Sequence, residues 1–142
     1  MPTVRKSVLV GRPAQAMFEL VEDIERYPQF LPWCSGTKVL ERTPDTTKAR
    51  IDIDYRGLVT HFSTVNRKHE PLDIDIELDE GPFDSLHGRW SFTPLGEDGC
   101  RVEFALDYAL SSAAMSVVLA PVFGHIVATL VERFVARAEA KP

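Results

Sequence analysis

Residues 111–138 read SSAAMSVVLAPVFGHIVATLVERFVARA and form a long, largely apolar stretch. A serine at position 111 or 112 can accept a hydrogen bond from a free backbone N–H, so a helix is predicted to begin there. Side chains that recur at steps of three and four share one face of this helix, and they are Phe123, Val127, Leu130, Phe134 and Ala138. The first half is apolar on nearly every side, which requires cover on more than one side or an apolar surface outside the protein.

A transmembrane helix is the alternative interpretation of this stretch, because residues 113–131 are about long enough to span a bilayer. Three features argue against it. Pro121 and Gly124 interrupt the stretch, His125 lies in its middle, and no cluster of Lys or Arg flanks its start. A helix that lines a core or a cavity is therefore favoured over a membrane span.

Composition predicts a single domain over residues 1–142, large enough to bury a core or enclose a pocket. The hydrophobic fraction of 44% and the charged fraction of 26% are ordinary for a globular chain. A net charge of −5 argues against a general DNA-binding protein, which would carry a basic stripe.

The cysteines and the N-terminus point to the cytoplasm. Cys34 and Cys100 lack the spacing of a metal site, which favours reduced thiols. The first residues lead into a strand and lack the apolar segment of a signal peptide. We therefore expect a cytoplasmic protein, with a peripheral position at the inner membrane left open.

Upstream of the long helix, the hydrophobic pattern predicts one strand, two short helices and about six further strands. Residues 3–10 alternate as a strand, and the next helix has an apolar face made by Ala16, Met17, Leu20, Val21 and Ile24. Leu72, Ile74, Ile76 and Leu78 alternate with acidic residues in the clearest later strand. Strands with one apolar face are typical of an antiparallel sheet covered on that face, here by the long helix.

Aromatic residues crowd the segment between the two short helices and the sheet. Tyr27, Phe30, Leu31 and Trp33 lie around Pro28 and Pro32, so only a short helical turn fits before the second proline. This segment either caps an ordinary core or gates a pocket between sheet and helix. Both interpretations remain open from the sequence.

Two motifs carry a family resemblance. The first is VEDIERYPQFLPWC at residues 21–34, and the second is GPF at residues 81–83, followed by Leu86 and by GRWSF at residues 88–92. With the order of elements, they make the chain similar to the START-like, helix-grip superfamily and, within it, to the coenzyme Q-binding family. The resemblance implies an α+β fold in which a curved antiparallel sheet of six to seven strands wraps around a long C-terminal helix.

The same resemblance implies two different functions. One is a hydrophobic tunnel that holds a polyprenyl quinone without reacting with it. The other belongs to the bacterial ribosome association toxins, which bind the large ribosomal subunit and block subunit joining. A local basic patch would serve the second function, and the candidates for it are Arg5, Lys48, Arg50, Arg56 and Arg67.

Catalytic or metal-binding chemistry finds little support. The four histidines, His61, His69, His87 and His125, share no metal-ligand spacing. The acidic residues at positions 73, 75, 77 and 79 fall on the outer face of one strand, which favours a solvated surface. No serine lies in a nucleophile-elbow motif and no glycine-rich phosphate loop is present. We predict no catalytic residue and no metal site.

His125 is the one titratable group in the apolar half of the helix. Burial would keep its imidazole neutral and able to donate one hydrogen bond. One hypothesis is that it meets a quinone carbonyl; the alternative is a helix histidine whose hydrogen bonds are satisfied within the protein.

We therefore predict a non-enzymatic carrier of a polyprenyl quinone or related lipid, which requires no cofactor and has a ubiquinone-like lipid as its bound ligand. The alternatives are the ribosome-binding inhibitor and a polyketide cyclase or dehydrase, which would need a polar, titratable cavity. The expected partners are a hydrophobic small molecule, with the large ribosomal subunit and a transient membrane contact as further partners. The candidate ligand-binding residues are Tyr27, Phe30, Leu31, Trp33, Tyr55, Phe62, Phe83, Trp90, Phe92, Phe104, Tyr108, Phe123, His125, Val127 and Leu130. Among them Tyr55, Tyr108 or His125 would orient the head group.

Overall fold

A computed structural model describes residues 3–140. The elements in chain order are β1 (Thr3–Val10), α1 (Ala14–Glu22), a 3₁₀ helix (Ile24–Gln29), β2 (Cys34–Arg42), β3 (Thr46–Tyr55), β4 (Leu58–His69), β5 (Asp73–Glu80), β6 (Phe83–Leu95), β7 (Gly99–Leu110) and α2 (Ala113–Ala140). The predicted order of one strand, two short helices, six strands and a long helix is confirmed over these residues.

The strands form one antiparallel sheet in the order β1-β7-β6-β5-β4-β3-β2. Strands β2 to β7 follow one another as a meander, because each pairs with its neighbour in the chain. Strand β1 pairs instead with β7, with Thr3 opposite Asp107 and Val10 opposite Cys100. Helix α1 and the 3₁₀ helix therefore connect the two opposite edges of the sheet. One face of the sheet packs against α2, as the hydrophobic pattern predicts.

Two side chains expected on the inner face lie elsewhere. Leu72 is 52% exposed, because it precedes β5 in a turn where its N–H donates to the His69 carbonyl. Ala16 is exposed, because the buried stripe of α1 passes through positions 14, 17, 18 and 21 instead. Phe18, which the sequence interpretation left out of this stripe, is 3% exposed and takes its place in the core.

Helix α2 begins where the serines predict. The Ser112 hydroxyl accepts a hydrogen bond from the N–H of Met115 at 3.0 Å, which satisfies one of the free donors of the first turn. Its buried face is formed by Leu119, Phe123, Ile126, Val127, Val131, Phe134 and Ala138.

The first half of α2 is covered on one side only. Val117 is 79% exposed and Val118 is 56% exposed, so of the two expected arrangements, protein cover on more than one side is not found there. No second layer lies over this half among the described residues. The helix is long and apolar enough to cross a membrane, with a mean hydropathy of 2.0 over an 18-residue window of which 28% is buried. Its inward face, however, packs into the core of the sheet.

One carboxylate fixes the end of α1 to three strands. Glu22 Oε1 accepts hydrogen bonds from Arg42 of β2 at 3.2 Å, from the Thr47 hydroxyl of β3 at 2.7 Å and from Lys68 Nζ of β4 at 2.8 Å. The Lys68 side chain is only 7% exposed, so its charge is compensated by Glu22 rather than by water. This network positions the 3₁₀ helix, which starts two residues after Glu22.

Candidate functional site

A cavity of about 110 Å³ lies between the inner face of the sheet and α2. Its walls come from the 3₁₀ helix and the residues after it, from strands β3 to β7, and from one face of α2. The lining residues are Ile24, Tyr27, Trp33, Ala49, Ile51, Phe62, Thr64, Asn66, Ile76, Leu86, Trp90, Phe104, Leu106, Phe123, Ile126, Val127, Leu130 and Phe134. Aliphatic and aromatic side chains dominate this list, so the cavity favours an apolar guest.

The sheet contributes its lining residues through simple alternation. Residues two apart point to the same face of a strand, which brings pairs such as Phe104 and Leu106 of β7 into one wall. Helix α2 supplies the facing wall from Phe123 to Phe134, which at 1.5 Å per residue is about 16 Å long.

The 3₁₀ helix closes one side of the cavity with Tyr27. The Tyr27 hydroxyl donates a hydrogen bond to the Val21 carbonyl, and burial raises the pKa of this phenol. Its ring meets Phe134 edge-on at 5.2 Å between centroids, and Phe30 meets the same Phe134 ring at 5.1 Å. The hydroxyl of Tyr27 is therefore engaged within the protein, and Tyr27 presents a ring to the cavity.

Eight of the predicted ligand-binding residues line the cavity. They are Tyr27, Trp33, Phe62, Trp90, Phe104, Phe123, Val127 and Leu130.

Five others pack behind or beside this lining. Phe83 and Tyr108 lie behind Phe123, at 5.0 Å and 4.8 Å between ring centroids. Phe92 stacks on Trp90 at 6.2 Å, Leu31 is fully buried, and Phe30 packs on Phe134. These five side chains fix the orientation of the residues that form the wall.

The remaining two, Tyr55 and His125, lie outside the lining. Their rings stack with centroids 5.5 Å apart and an interplanar angle of 7°. His125 is exposed, so the prediction that it is buried is wrong. Ile126 and Val127 occupy the inward side of this turn of α2, which leaves position 125 on the solvent side. Contact of His125 with a quinone stays an untested prediction.

Ten lining residues were not among the predicted site residues. They are Ile24, Ala49, Ile51, Thr64, Asn66, Ile76, Leu86, Leu106, Ile126 and Phe134. Most belong to strand or helix faces that the sequence interpretation identified as inward. Asn66 could have been found by continuing the period of two from Phe62 and Thr64 along β4.

Two of these residues form the polar part of the wall. The Thr64 hydroxyl donates to Asn66 Oδ1 at 2.9 Å, and the two side chains are buried, with exposures of 6% and 8%. The indole nitrogen of Trp33 is also buried and has no hydrogen-bond partner among residues 3–140. The cavity wall is thus apolar with a few hydrogen-bonding groups.

The outer face of β5 carries the acidic residues in ion pairs. Arg89 contacts Asp73 at 3.2 Å and Asp75 at 3.5 Å, while His87 contacts Glu77 at 2.6 Å. Ligand atoms of His69, Asp73 and Asp75 lie within 4.8 Å of one another, but the Arg89 guanidinium already compensates both carboxylates.

Two of the five residues of the predicted basic patch pair with neighbouring acids. Lys48 lies 3.5 Å from Asp79, and Arg50 lies 2.7 Å from Asp52. Arg56 instead covers the ring of Tyr55, with its Cζ 5.1 Å from the ring centroid.

Both cysteines are free and buried, as reduced thiols would be. Burial raises the pKa of Cys34 to about 11 and raises that of Cys100 as well. Neither thiol therefore has the lowered pKa of a reactive nucleophile.

A seven-stranded antiparallel sheet around one long helix, with an apolar cavity between them, defines a helix-grip protein. The chain belongs to the polyketide cyclase / dehydrase and lipid transport family, whose model matches residues 10–135. This finding, with the relatives below, confirms the resemblance noted from the two sequence motifs.

Three known proteins show how far the similarity extends. The ribosome association toxin RatA of Escherichia coli K12 is 37% identical, over 98% of this chain and 88% of its own. The mitochondrial coenzyme Q-binding protein coq10 of Schizosaccharomyces pombe is 24% identical, over 96% and 87%. The solved structure of a START superfamily protein from Mycobacterium smegmatis superposes with a TM-score of 0.80 at 26% identity, over 96% and 97%.

Proposed function

We propose that this protein is a non-enzymatic carrier that holds a polyprenyl quinone or a related lipid in the cavity between sheet and α2. The observation that carries the proposal is the cavity itself, whose lining is apolar apart from a few hydrogen-bonding groups. Burial of apolar ligand area contributes about 25 cal/mol per Å², so such a wall favours a hydrophobic guest without any charged anchor. The coenzyme Q-binding relative supports a quinone as the guest.

The size of the cavity indicates which part of the lipid it accepts. A volume of about 110 Å³ is somewhat below the roughly 150 Å³ of an engineered apolar cavity that binds benzene. One ring therefore nearly fills it, and an isoprenoid tail has to extend beyond it.

The chemistry of the lining favours binding over catalysis. The one ionisable side chain among the described lining residues is Tyr27, and its hydroxyl is occupied by the Val21 carbonyl. A cyclase or dehydrase would need a group that can exchange a proton with the substrate. The walls provide area and a few hydrogen bonds instead.

The exposed half of α2 gives a lipid carrier a way to meet a membrane. Val117 and Val118 on α2 and Val59 on the β3–β4 hairpin are 79%, 56% and 73% exposed. The Tyr55–His125 stack holds the hairpin against α2 near this half. We propose that these valines insert into the bilayer interface while the protein takes up its lipid. The protein would then be cytoplasmic, with a peripheral position at the membrane.

A filled-cavity variant tests the carrier function. Ubiquinone with a short isoprenoid tail is titrated into the protein, and quenching of Trp33 and Trp90, which both line the cavity, reports binding. Ala49→Leu adds three carbons inside the cavity, where Ala49 is 1% exposed, and is expected to weaken binding at least tenfold. Ala136→Leu makes the same change on the exposed side of α2 and should bind like the wild type. Equal quinone binding by the two variants would show that the cavity is not the binding site.

The RatA relative supports a second function, association with the ribosome. The outer face of the sheet places Arg5 of β1 and Arg89 of β6 on either side of Ala105, beside a groove also lined by Lys6. Arg89 is paired with Asp73 and Asp75, so Arg5 and Lys6 are the cations here that could contact ribosomal RNA, and such binding would weaken steeply with salt. Co-sedimentation with large subunits at rising salt, compared between wild type and Arg5→Glu, tests it; salt-independent sedimentation or an unaffected variant would argue against it.

A further inference from the structure

We infer that Asn66, held in place by Thr64, is the hydrogen-bond donor that recognises a neutral carbonyl oxygen on the ring of the bound ligand. The inference rests on the proposed carrier function and adds the chemistry that the ligand must present. It assigns head-group recognition to β4, whereas the sequence interpretation assigned it to Tyr55, Tyr108 or His125. None of those three lines the cavity.

The Thr64–Asn66 hydrogen bond determines which end of the amide is free. Thr64 donates to Asn66 Oδ1 at 2.9 Å, so the amide oxygen already has a partner. The amide nitrogen has no hydrogen bond to any residue in the described part of the chain, and it keeps some accessible surface where Asn66 lines the cavity. An amide NH₂ carries two donors, and both are free to bind a guest. The site thus lacks an acceptor, which a ligand can supply.

The charge of the described lining residues indicates that the acceptor atom on the ligand is neutral. No Lys, Arg or His is among the described lining residues. The next cation on the same face of β4, Lys68, is bound by Glu22 at 2.8 Å. A carboxylate or phosphate would enter without a counter-charge and would lose its hydration, which is strongly unfavourable. A carbonyl on a quinone-like ring satisfies the amide without this cost.

The position of Asn66 also orients the ligand. Phe62, Thr64 and Asn66 follow one another at a period of two along the cavity wall, over about 13 Å of strand. Asn66 lies at the end near the Glu22 network, and Phe62 lies toward the β3–β4 hairpin. A head group at Asn66 therefore directs its tail past Phe62 toward the exposed half of α2.

Two probes of similar size separate this subsite from general apolar binding. One is a benzoquinone with a ten-carbon alkyl chain, and the other is decylbenzene, which has no oxygen. Quinone binding is measured by quenching of the tryptophan fluorescence. Decylbenzene binding is measured by its competition with the quinone. The wild type is expected to prefer the quinone about tenfold, the value of one paired donor. Asn66→Leu keeps the bulk but removes the donor, so this preference should disappear while decylbenzene binding is kept.

A control and a second variant make the result decisive. Ile76→Val changes a cavity residue directly across from Asn66 and should weaken both probes without changing their ratio. Thr64→Val removes the hydroxyl that orients the amide and should reduce the ratio even if Asn66→Leu fails to fold. An unchanged ratio in the folded asparagine or threonine variant would overturn the subsite and leave the carrier function intact. If the wild type binds neither probe, both the carrier function and this subsite are wrong.

Discussion

The rings of Tyr55 and His125 lie parallel, with centroids 5.5 Å apart, and join the tip of the β3–β4 hairpin to the middle of α2. Arg56 covers the same tyrosine ring at 5.1 Å. The stack places the exposed apolar residues of the hairpin and of the first half of α2 at the same end of the protein. This end therefore combines an aromatic stack, one cation and several solvated valines, a composition suited to a lipid–water boundary.

Replacing Val117 with Asp should reduce binding to vesicles of phosphatidylcholine and phosphatidylglycerol. A valine that enters the interface contributes about 1.5 kcal/mol, so its loss should weaken partitioning about tenfold in a sedimentation assay. The side chain is 79% exposed, and the unfolding midpoint should barely change. Ala136→Asp adds the same charge at an exposed position in the other half of α2 and serves as the control. Equal loss in the two variants would mean that charge alone, and not this surface, determines binding.

Gly81→Ala should destabilise the protein by about 2 kcal/mol, within the range for strained backbone positions. Gly81 has a φ of +156°, and an added Cβ would lie 2.6 Å from the Cβ of Phe62, which lines the cavity. Quinone binding should weaken together with stability. Gly124→Ala provides the contrast, since nothing lies within 4 Å of an added Cβ there and alanine favours a helix by up to about 1 kcal/mol. Urea unfolding measures both; a neutral Gly81 variant would contradict the close approach.

Cys34 should react slowly with a disulfide reagent at pH 8 in the native protein. Its pKa is raised to about 11 by burial, so only about one thiol in a thousand is ionised at that pH. Adding urea should restore the rate of an ordinary thiol. The pKa of Cys34 is higher in the folded protein than in the unfolded chain. The contribution of Cys34 to stability is therefore fully present below the unfolded pKa and is lost as the pH rises through the folded pKa of about 11. The Cys34→Ser variant has only Cys100, so comparison with it shows which part of the labelling comes from Cys34. Fast labelling of Cys34 in the native protein would contradict the raised pKa and the burial of this thiol.

Glu25 should stabilise the fold at neutral pH and lose this effect in acid. Hydrogen bonds from Arg42, at 2.8 and 3.0 Å, hold the pKa of this carboxyl below its usual value of 4.5. A lowered pKa stabilises the folded state above pH 4.5, and the contribution disappears as pH falls through the folded value. The difference in unfolding free energy between wild type and Glu25→Gln should therefore shrink in acid. A difference that stays constant from pH 7 to pH 3 would show that it does not come from the charge.

The strands and the start of α2 can be predicted from the local sequence pattern, and the cavity can be predicted only in part. Alternation identifies the inward faces because each strand buries one side, and Ser112 marks the start of α2 because it accepts from Met115. Pattern alone does not tell which inward residues touch the cavity and which lie behind it, as with Phe104 and Tyr108 on one face of β7. That difference depends on the curvature of the whole sheet. The sequence predicts a buried His125 because the first half of α2 is apolar. In the structure His125 is exposed, because the sheet covers only one side of this helix.

The pairing of β1 with β7 has a consequence for how the protein is made. Thr3 lies opposite Asp107, so a strand from the beginning of the chain stays unpaired until a strand from near its end has been synthesised. The meander from β2 to β6 can form earlier, because its strands are neighbours in sequence. The wall that α2 contributes follows β7 and comes later still. A nascent chain therefore exposes the apolar face of the sheet first, and the cavity is complete only when α2 closes over that face.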